Sequence, residues 1–363
     1  MGTNISYAEI VEGFQVEPAL TVTERYDSNV NLSGSLPEHD FITVLTPRLT
    51  LSYKGLKAES SLSYQADAEF YREHSELNTV KHIASLNTLY RLSQTTELKI
   101  QDLFIYSPDA TDIAATGVIV NRTKQYYNSV SANISQRLSL LTTVSANYSY
   151  VIQRYEDPSF IDSTVHGVQL MTTHGFTQTD ALKANAGFRY FSFGDVMSQK
   201  IFTVSLGEMH RFSENFSFDG SGGVNLYQDV NNHYVPSAFF DVILRKSWKT
   251  TSADLRYLQD LTASGGITST TVMNQSVVLG IQTTLTQKLR ASLSGSYATN
   301  KSVSGTSVDT VSYSGAAAFD YDITAWLRGQ IRYSSFQQNS HGTASNDFRR
   351  HQAFVSLAAT LPK

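Results

Sequence analysis

Any chemistry performed by this chain must come from its acids, bases and hydroxyls, because the sequence contains no cysteine. That removes thiolate nucleophiles, thiolate metal sites and disulfides together. The 9 histidines are dispersed. His166 and His174 stand too far apart along one extended segment to share a metal ion. There is no His-Glu-x-x-His, no glycine-rich phosphate loop following a strand and no nucleophile elbow. Glu69 and Glu73 share a face, as carboxylates in any alternating segment would. The abundant serines make a hydrolytic triad uninformative as a proposal. Asn-x-Ser/Thr triplets at Asn31, Asn133, Asn147 and Asn215 follow from a Ser/Asn-rich composition. The expectation is a non-enzyme with no catalytic residue, no metal and no cofactor. With 28 basic against 32 acidic side chains, formal net charge -4, a nucleic-acid partner is also not expected.

What the charges offer instead is a lining. Arg48, Asp67, Glu69, Arg91, Arg189, Asp219, Asp241, Arg245, Asp254, Arg256, Arg290, Arg328 and Arg332 all fall at the polar positions of alternating segments, as do Glu17, Arg25, Lys183 and Asp320. Opposite signs recur on one face of a segment, as in Asp241/Arg245 and Asp254/Arg256. On a wet wall such charges balance one another, and at most they form a constriction that reads a charged or hydroxylated solute. A lining of both signs argues against strong ion selectivity. Tyr227 shares the parity of Asp219 and Asn225 and is a candidate sugar-stacking ring.

The elements carrying these residues have a period of two. In Ser61 to Phe70, Leu62, Tyr64, Ala66, Ala68 and Phe70 oppose Ser61, Ser63, Gln65, Asp67 and Glu69. The same alternation runs through 143–153 and 289–298, where a helix would need apolar recurrence at three and four residues. Such segments number 18, from 14–27 and 41–54 to 325–337 and 350–361, or 16 if the poorly alternating 96–106 and 165–176 are dropped. Most run 11 to 17 residues, far longer than soluble strands but suited to a tilted crossing of a bilayer. No window holds the run of apolar residues that a spanning helix needs. The other membrane solution, the β-barrel, stays open.

Connections alternate as well. Tiny gaps (Lys54-Gly55-Leu56, Ser213-Glu214, Gln287-Lys288) follow even segments, whereas long ones (28–40, 107–122, 156–164, 338–349) follow odd segments. The sequence therefore predicts an all-β fold: a single closed antiparallel transmembrane β-barrel of about 18 strands, with short periplasmic turns and longer extracellular loops. Residues 1–13 are expected as a short periplasmic segment and 14–361 as the barrel, with both termini periplasmic. Met1 to Ser6 lacks a basic n-region and an apolar h-region, so the expectation is a mature chain with an added initiator methionine. Aromatics near segment ends, including Tyr53, Tyr90, Trp248, Tyr257, Tyr297, Trp326 and Tyr333, suit two interfacial girdles. A cylinder of this strand number is on the order of 35 Å across, too wide for side chains to fill. No plug-sized insertion exists, so a solute passage is expected, with loop 107–122 the candidate for folding inward to narrow it.

Two stretches carry a resemblance to a known family. Leu20 to Val30 (LTVTERYDSNV) and Asp40 to Tyr53 (DFITVLTPRLTLSY, with its central proline) resemble the first two strands of outer-membrane β-barrel proteins associated with bacterial exopolysaccharide secretion. The likeness is motif-like over 14–54 and pattern-like beyond. It implies an export pore in the bacterial outer membrane that passes polysaccharide and works with periplasmic export or copolymerase proteins, its outer surface in contact with outer-membrane lipid. The alternative reading is a general or solute-specific diffusion porin for hydrophilic solutes. Further off stand a barrel sheath for an electron-transfer cytochrome and an assembly or adhesion scaffold. The chain departs from the usual pattern in ending Leu361-Pro362-Lys363, without a terminal aromatic.

Overall fold

Alternation of lipid-compatible and polar side chains is satisfied by an extended backbone whose two faces meet different media. The computed structural model describes residues 13–108, 122–229, 231–263, 266, 269–303, 308–342 and 347–360. Its strands are β1 (Gly13–Asp27), β2 (Asp40–Lys54), β3 (Ala58–Tyr71), β4 (Thr79–Arg91), β5 (Thr96–Ser107), β6 (Gln125–Arg137), β7 (Thr142–Tyr155), β8 (Ser163–Gly175) and β9 (Asp180–Phe193). They continue as β10 (Met197–Ser213), β11 (Phe216–Gln228), β12 (Tyr234–Ser247), β13 (Thr251–Ala263), β14 (Thr271–Thr284), β15 (Leu289–Ser302), β16 (Asp309–Asp322), β17 (Leu327–Ser340) and β18 (Phe348–Thr360). One 3₁₀ turn, Ser75–Leu77, lies between β3 and β4.

Each strand pairs antiparallel with its sequence neighbours, and β1 joins both β2 and β18. The closing register runs from Ala19↔Thr360 to Asp27↔Gln352. The result is a closed 18-stranded barrel without a free edge. The weakly alternating segments are real strands, β5 and β8. Their patterns blur because polar side chains stand on the lipid face (Asp102; His166 and His174) and apolar ones on the inner face (Leu103 and Ile105). Pro47 interrupts the β2–β3 ladder, which passes from Leu45↔Ala68 to Arg48↔Gln65, since proline has no N–H to donate.

The outer face is an apolar belt: Val16, Leu20 and Val22 on β1, Val204 and Leu206 on β10, Leu293 on β15, Ile331 on β17 and Val355 on β18 are all exposed. The inner face departs from the expected uniform polarity. Toward the rim of long connections it carries buried apolar clusters, among them Phe191, Phe193, Ile201, Tyr227 and Leu261 and Val30, Ile42, Val44 and Tyr71. Segment 28–39 folds inward, placing Val30 against β2 and β3, and Leu32 against Phe336 and Phe348 of β17 and β18. At the closing seam, Arg350 donates from Nε and Nη2 to the Asp27 carboxylate at 2.6–3.0 Å, with both side chains buried.

The two faces make opposite predictions for one substitution type. Arginine at Ile331, inside the apolar belt, is expected to destabilise the barrel by about 2–4 kcal/mol, against near zero for arginine at the lumen-facing neighbour Ser334. Reversible denaturant titration in lipid vesicles reads the difference. Equal effects at the two positions would contradict the assignment of faces.

Candidate functional site

Alternation and register place every charged residue singled out from the sequence on the inner face. They do not gather in one place. Arg48, Asp67, Glu69, Arg328 and Arg332 line one recess of about 420 Å³ in the wall formed by β1–β4 and β16–β18, together with Arg25, Lys81 and Asp320. That recess holds five cationic and three acidic side chains. Glu69 accepts Arg25 Nη1 at 3.1 Å and Lys81 Nζ at 3.0 Å in a buried triad. Tyr71 donates its hydroxyl to Glu69 at 3.0 Å, and Arg122 donates to the Tyr71 hydroxyl at 2.7 Å and to the Val30 carbonyl at 3.2 Å. This chain of contacts ties segment 28–39 to the wall. Asp67 accepts Thr46 Oγ1 at 2.8 Å and Gln65 Nε2 at 2.9 Å. Arg48 and Arg332 have no carboxylate in ion-pair range among the described residues; Arg332 lies over the Phe354 ring at 5.5 Å. Within this recess they are the two cations without an ion-pair partner among the described residues.

Most of the other charges pair locally. Arg256 grips Asp241 with Nε and Nη2 at 2.8 and 2.9 Å across the β12–β13 pair. This replaces the within-strand pairs Asp241/Arg245 and Asp254/Arg256, because neighbouring strands are closer than residues four apart along one strand. Arg245 and Asp254 are register partners on the inner face, without an ion pair between them. Arg290 and Arg328 share Asp322, Arg91 binds Glu59, and Asp219 pairs with Lys183.

The wall of β9–β11 carries a second feature. The end of the β13–β14 hairpin at the rim of long connections leans across it from inside. Asp260 accepts both Arg189 Nη groups at 2.6 and 2.9 Å, and Asn225 Nδ2 at 3.0 Å. The Thr271 amide donates to Gln199 Oε1 at 2.7 Å, and the Ile161 amide to the Gly266 carbonyl at 2.8 Å. Gly266 has φ +86°, and a Cβ there would meet the Tyr155 ring at 2.6 Å, so both backbone and space demand glycine. Leu261 is 1% exposed beneath Phe191, Phe193, Ile201 and Tyr227.

Tyr227 does face inward, but the hairpin covers its ring, so the surface a stacked sugar would need is occupied. In loop 107–122, residues 109–121 lie outside the described residues. The narrowing element that the structure does show is the β13–β14 hairpin, together with segment 28–39. Sequence reasoning missed Lys81, Asp260, Asp322, Arg122 and the Asp27–Arg350 pair. It also missed the inner apolar clusters, for which Phe41-Ile42-Thr43-Val44-Leu45 and Tyr190-Phe191, apolar on both faces, were the available signal. A continuous apolar run marks a strand covered on both sides. Asp180, Glu208 and His210 meet at the rim of short turns with ligand atoms within 4.8 Å of one another. Asp180 is already held by Thr177, Thr179 and His210, which makes this a hydrogen-bonded turn.

No protein-family model and no curated protein matches the sequence. Solved structures do share the fold. OccK2 (OpdF) of Pseudomonas aeruginosa superposes with a TM-score of 0.50 at 11% identity, covering 96% of this chain and 98% of that one. Its complex with glucuronate gives 0.50 at 10% identity, with 96% and 99% covered. Acinetobacter baumannii OccAB4 gives 0.50 at 13% identity, with 97% and 99% covered.

Removing the Asp260 carboxylate tests the narrowing. Asp260→Ala leaves Arg189 without its partner and frees the hairpin end, so single-channel conductance in planar bilayers is expected to rise by about twofold or more. An unchanged conductance would show that the narrowest point lies elsewhere.

Proposed function

We propose that this chain is a passive diffusion channel of the bacterial outer membrane for small hydrophilic anions, chiefly carboxylates bearing hydroxyl groups. The observation that carries this reading is the pair Arg48 and Arg332, facing one recess without ion-pair partners. Around them Asp67, Asp320, Gln330, Thr21 and Thr23 offer acceptors and hydroxyls for the rest of a sugar acid. A guanidinium binds a carboxylate through a planar fork, which orients the solute as well as attracting it. Neutralised charges elsewhere along the wall keep the preference moderate. The shared fold supports this reading, since OccK2 has been crystallised with glucuronate. The chain has an even number of strands, so β1 and β18 both end at the rim of short turns. We place that rim, and with it the segment expected at 1–13, in the periplasm.

Polymer export, implied by the resemblance of 14–54, is the second reading. It calls for an unobstructed axial passage and periplasmic export proteins. Segment 28–39 and the β13–β14 hairpin both narrow the outer half of the lumen, which favours small solutes.

Reversal potentials across a salt gradient test the reading. Arg48→Ala combined with Arg332→Ala is expected to lower the anion-to-cation permeability ratio about threefold or more and to slow glucuronate flux by about tenfold. Unchanged selectivity in the folded double variant would remove the assigned role of the recess.

A further inference from the structure

At one seam of the wall, both strands run on without each other. β12 and β13 pair only from Phe240↔Gln259 to Ser247↔Ser252, yet β12 continues to Tyr234 and β13 to Ala263. Beyond the fork β12 stays with β11, through Ala238↔Val224 to Tyr234↔Gln228. β13 stays with β14, through Asp260↔Asn274 and Leu261↔Met273. The first pair keeps to the wall and the second crosses inward onto β9–β11. The apex is bridged by a side chain: Gln259 Nε2 donates to the Ala238 carbonyl at 3.2 Å. Gln259 Oε1 in turn accepts the Tyr257 hydroxyl and Gln275 Nε2, each at 2.9 Å.

The fork holds a cleft of about 410 Å³. Tyr227 and Ser237, at lumen-facing positions, line it together with Pro236, Gln275, Thr299 and Val311 at lipid-facing positions. Side chains of both parities meet in one cavity only where that cavity cuts into the thickness of the wall. Just below it, Tyr257, Val277, Tyr297 and Tyr313 form a register row on the outer face. Tyrosine rings mark the boundary between hydrocarbon and headgroups, so the cleft opens at that level. What separates it from the lumen is the contact of Leu261 with Phe191, Ile201 and Tyr227. That barrier is apolar, and no β12–β13 ladder reinforces it.

We propose that this fork is a lateral portal. An anionic solute with an apolar body passes between β12 and β13 at the headgroup level by taking the place of Leu261 in the inner cluster. Arg189, on the lumen side of the same contact, meets the anionic group as Asp260 withdraws with the hairpin. A fully hydrophilic anion gains nothing from the apolar barrier and keeps to the axial route. The portal rests on the channel reading above.

The absence of native cysteine makes a reversible lock clean to build. Gln199→Cys with Thr271→Cys, joined by a short cleavable bis-maleimide, pins the hairpin to the wall. Flux of benzenesulfonate and of glucuronate is then measured in proteoliposomes, with heat-modifiable gel mobility confirming the folded barrel. Locking is expected to cut benzenesulfonate flux about tenfold or more, to leave glucuronate within about twofold, and to be reversed by cleavage. Leu261→Ala, with no crosslink, is expected to raise benzenesulfonate flux about threefold or more and to raise it more than glucuronate flux, which follows only the wider axial passage. If both fluxes fall together, or neither changes, the portal is overturned. If neither solute moves through unlocked protein, the channel reading itself fails, a result distinct from failure of the portal.

Discussion

Everything in this molecule depends on the backbone closing its hydrogen bonds inside a medium that offers none. In hydrocarbon an unpaired N–H or C=O costs several kcal/mol, so a sheet can cross only if its first strand finds its last. Here β1 does so along Ala19–Asp27 while also pairing with β2 along its full length. Once the ring is closed, lipid covers the outer side chains and the inner ones need not pack as a core. That freedom is what allows so many charges to sit at regular inward positions.

The interior is nevertheless not bare. The Glu69 triad and the Asp27–Arg350 pair are taken out of water, and burying paired charges adds little net stability. Their effect is geometric. Removing Glu69, or either member of the Asp27–Arg350 pair, leaves a buried charge uncompensated, so the segments they hold have one favourable position. Asp27 also caps the Asn29 amide at 3.1 Å, and Asn29 Nδ2 reaches the Ser33 and Arg349 carbonyls. The turn into segment 28–39 is thereby directed inward. Apolar burial then supplies the energy, as for Leu261, where covering one leucine contributes about 1.5–3 kcal/mol.

How much of this was legible follows from which forces are local. Leu62 to Phe70 alternate because each side chain alternately meets lipid or water, a rule read directly from spacing. The strands and the inward position of Arg48 or Asp241 were therefore readable. Partnership was not. Asp241 finds Arg256 across a strand pair and Arg189 finds Asp260 over the strands between β9 and β13, contacts that depend on a register and a hairpin lean with no signature in spacing. Tyr227 shows the same limit: its parity is readable, but the leucine that covers it lies 34 positions along the chain on a different strand. The covering of Phe191 and Ile42 left only a faint trace, a lapse of alternation where the inner face of a strand meets protein while the outer face meets lipid.

The ring geometry then links the two inner features. In a closed ring of 18 strands, β10 stands half a circumference from β1. The hairpin presses on β9–β11, and the recess with Arg48 and Arg332 opens on the wall centred on β1 and β18. In the channel proposed above, a solute passing the hairpin is displaced toward the opposite wall, where Arg48 and Arg332 stand. Narrowing and recognition thus need no dedicated plug domain. One hairpin leaning inward removes width from one side of the lumen, and in the proposed channel Arg48 and Arg332 on the other side meet what passes in the width that remains. The same lean opens the β12–β13 seam, because a hairpin cannot lean inward over β9–β11 and stay paired along its whole length with β12.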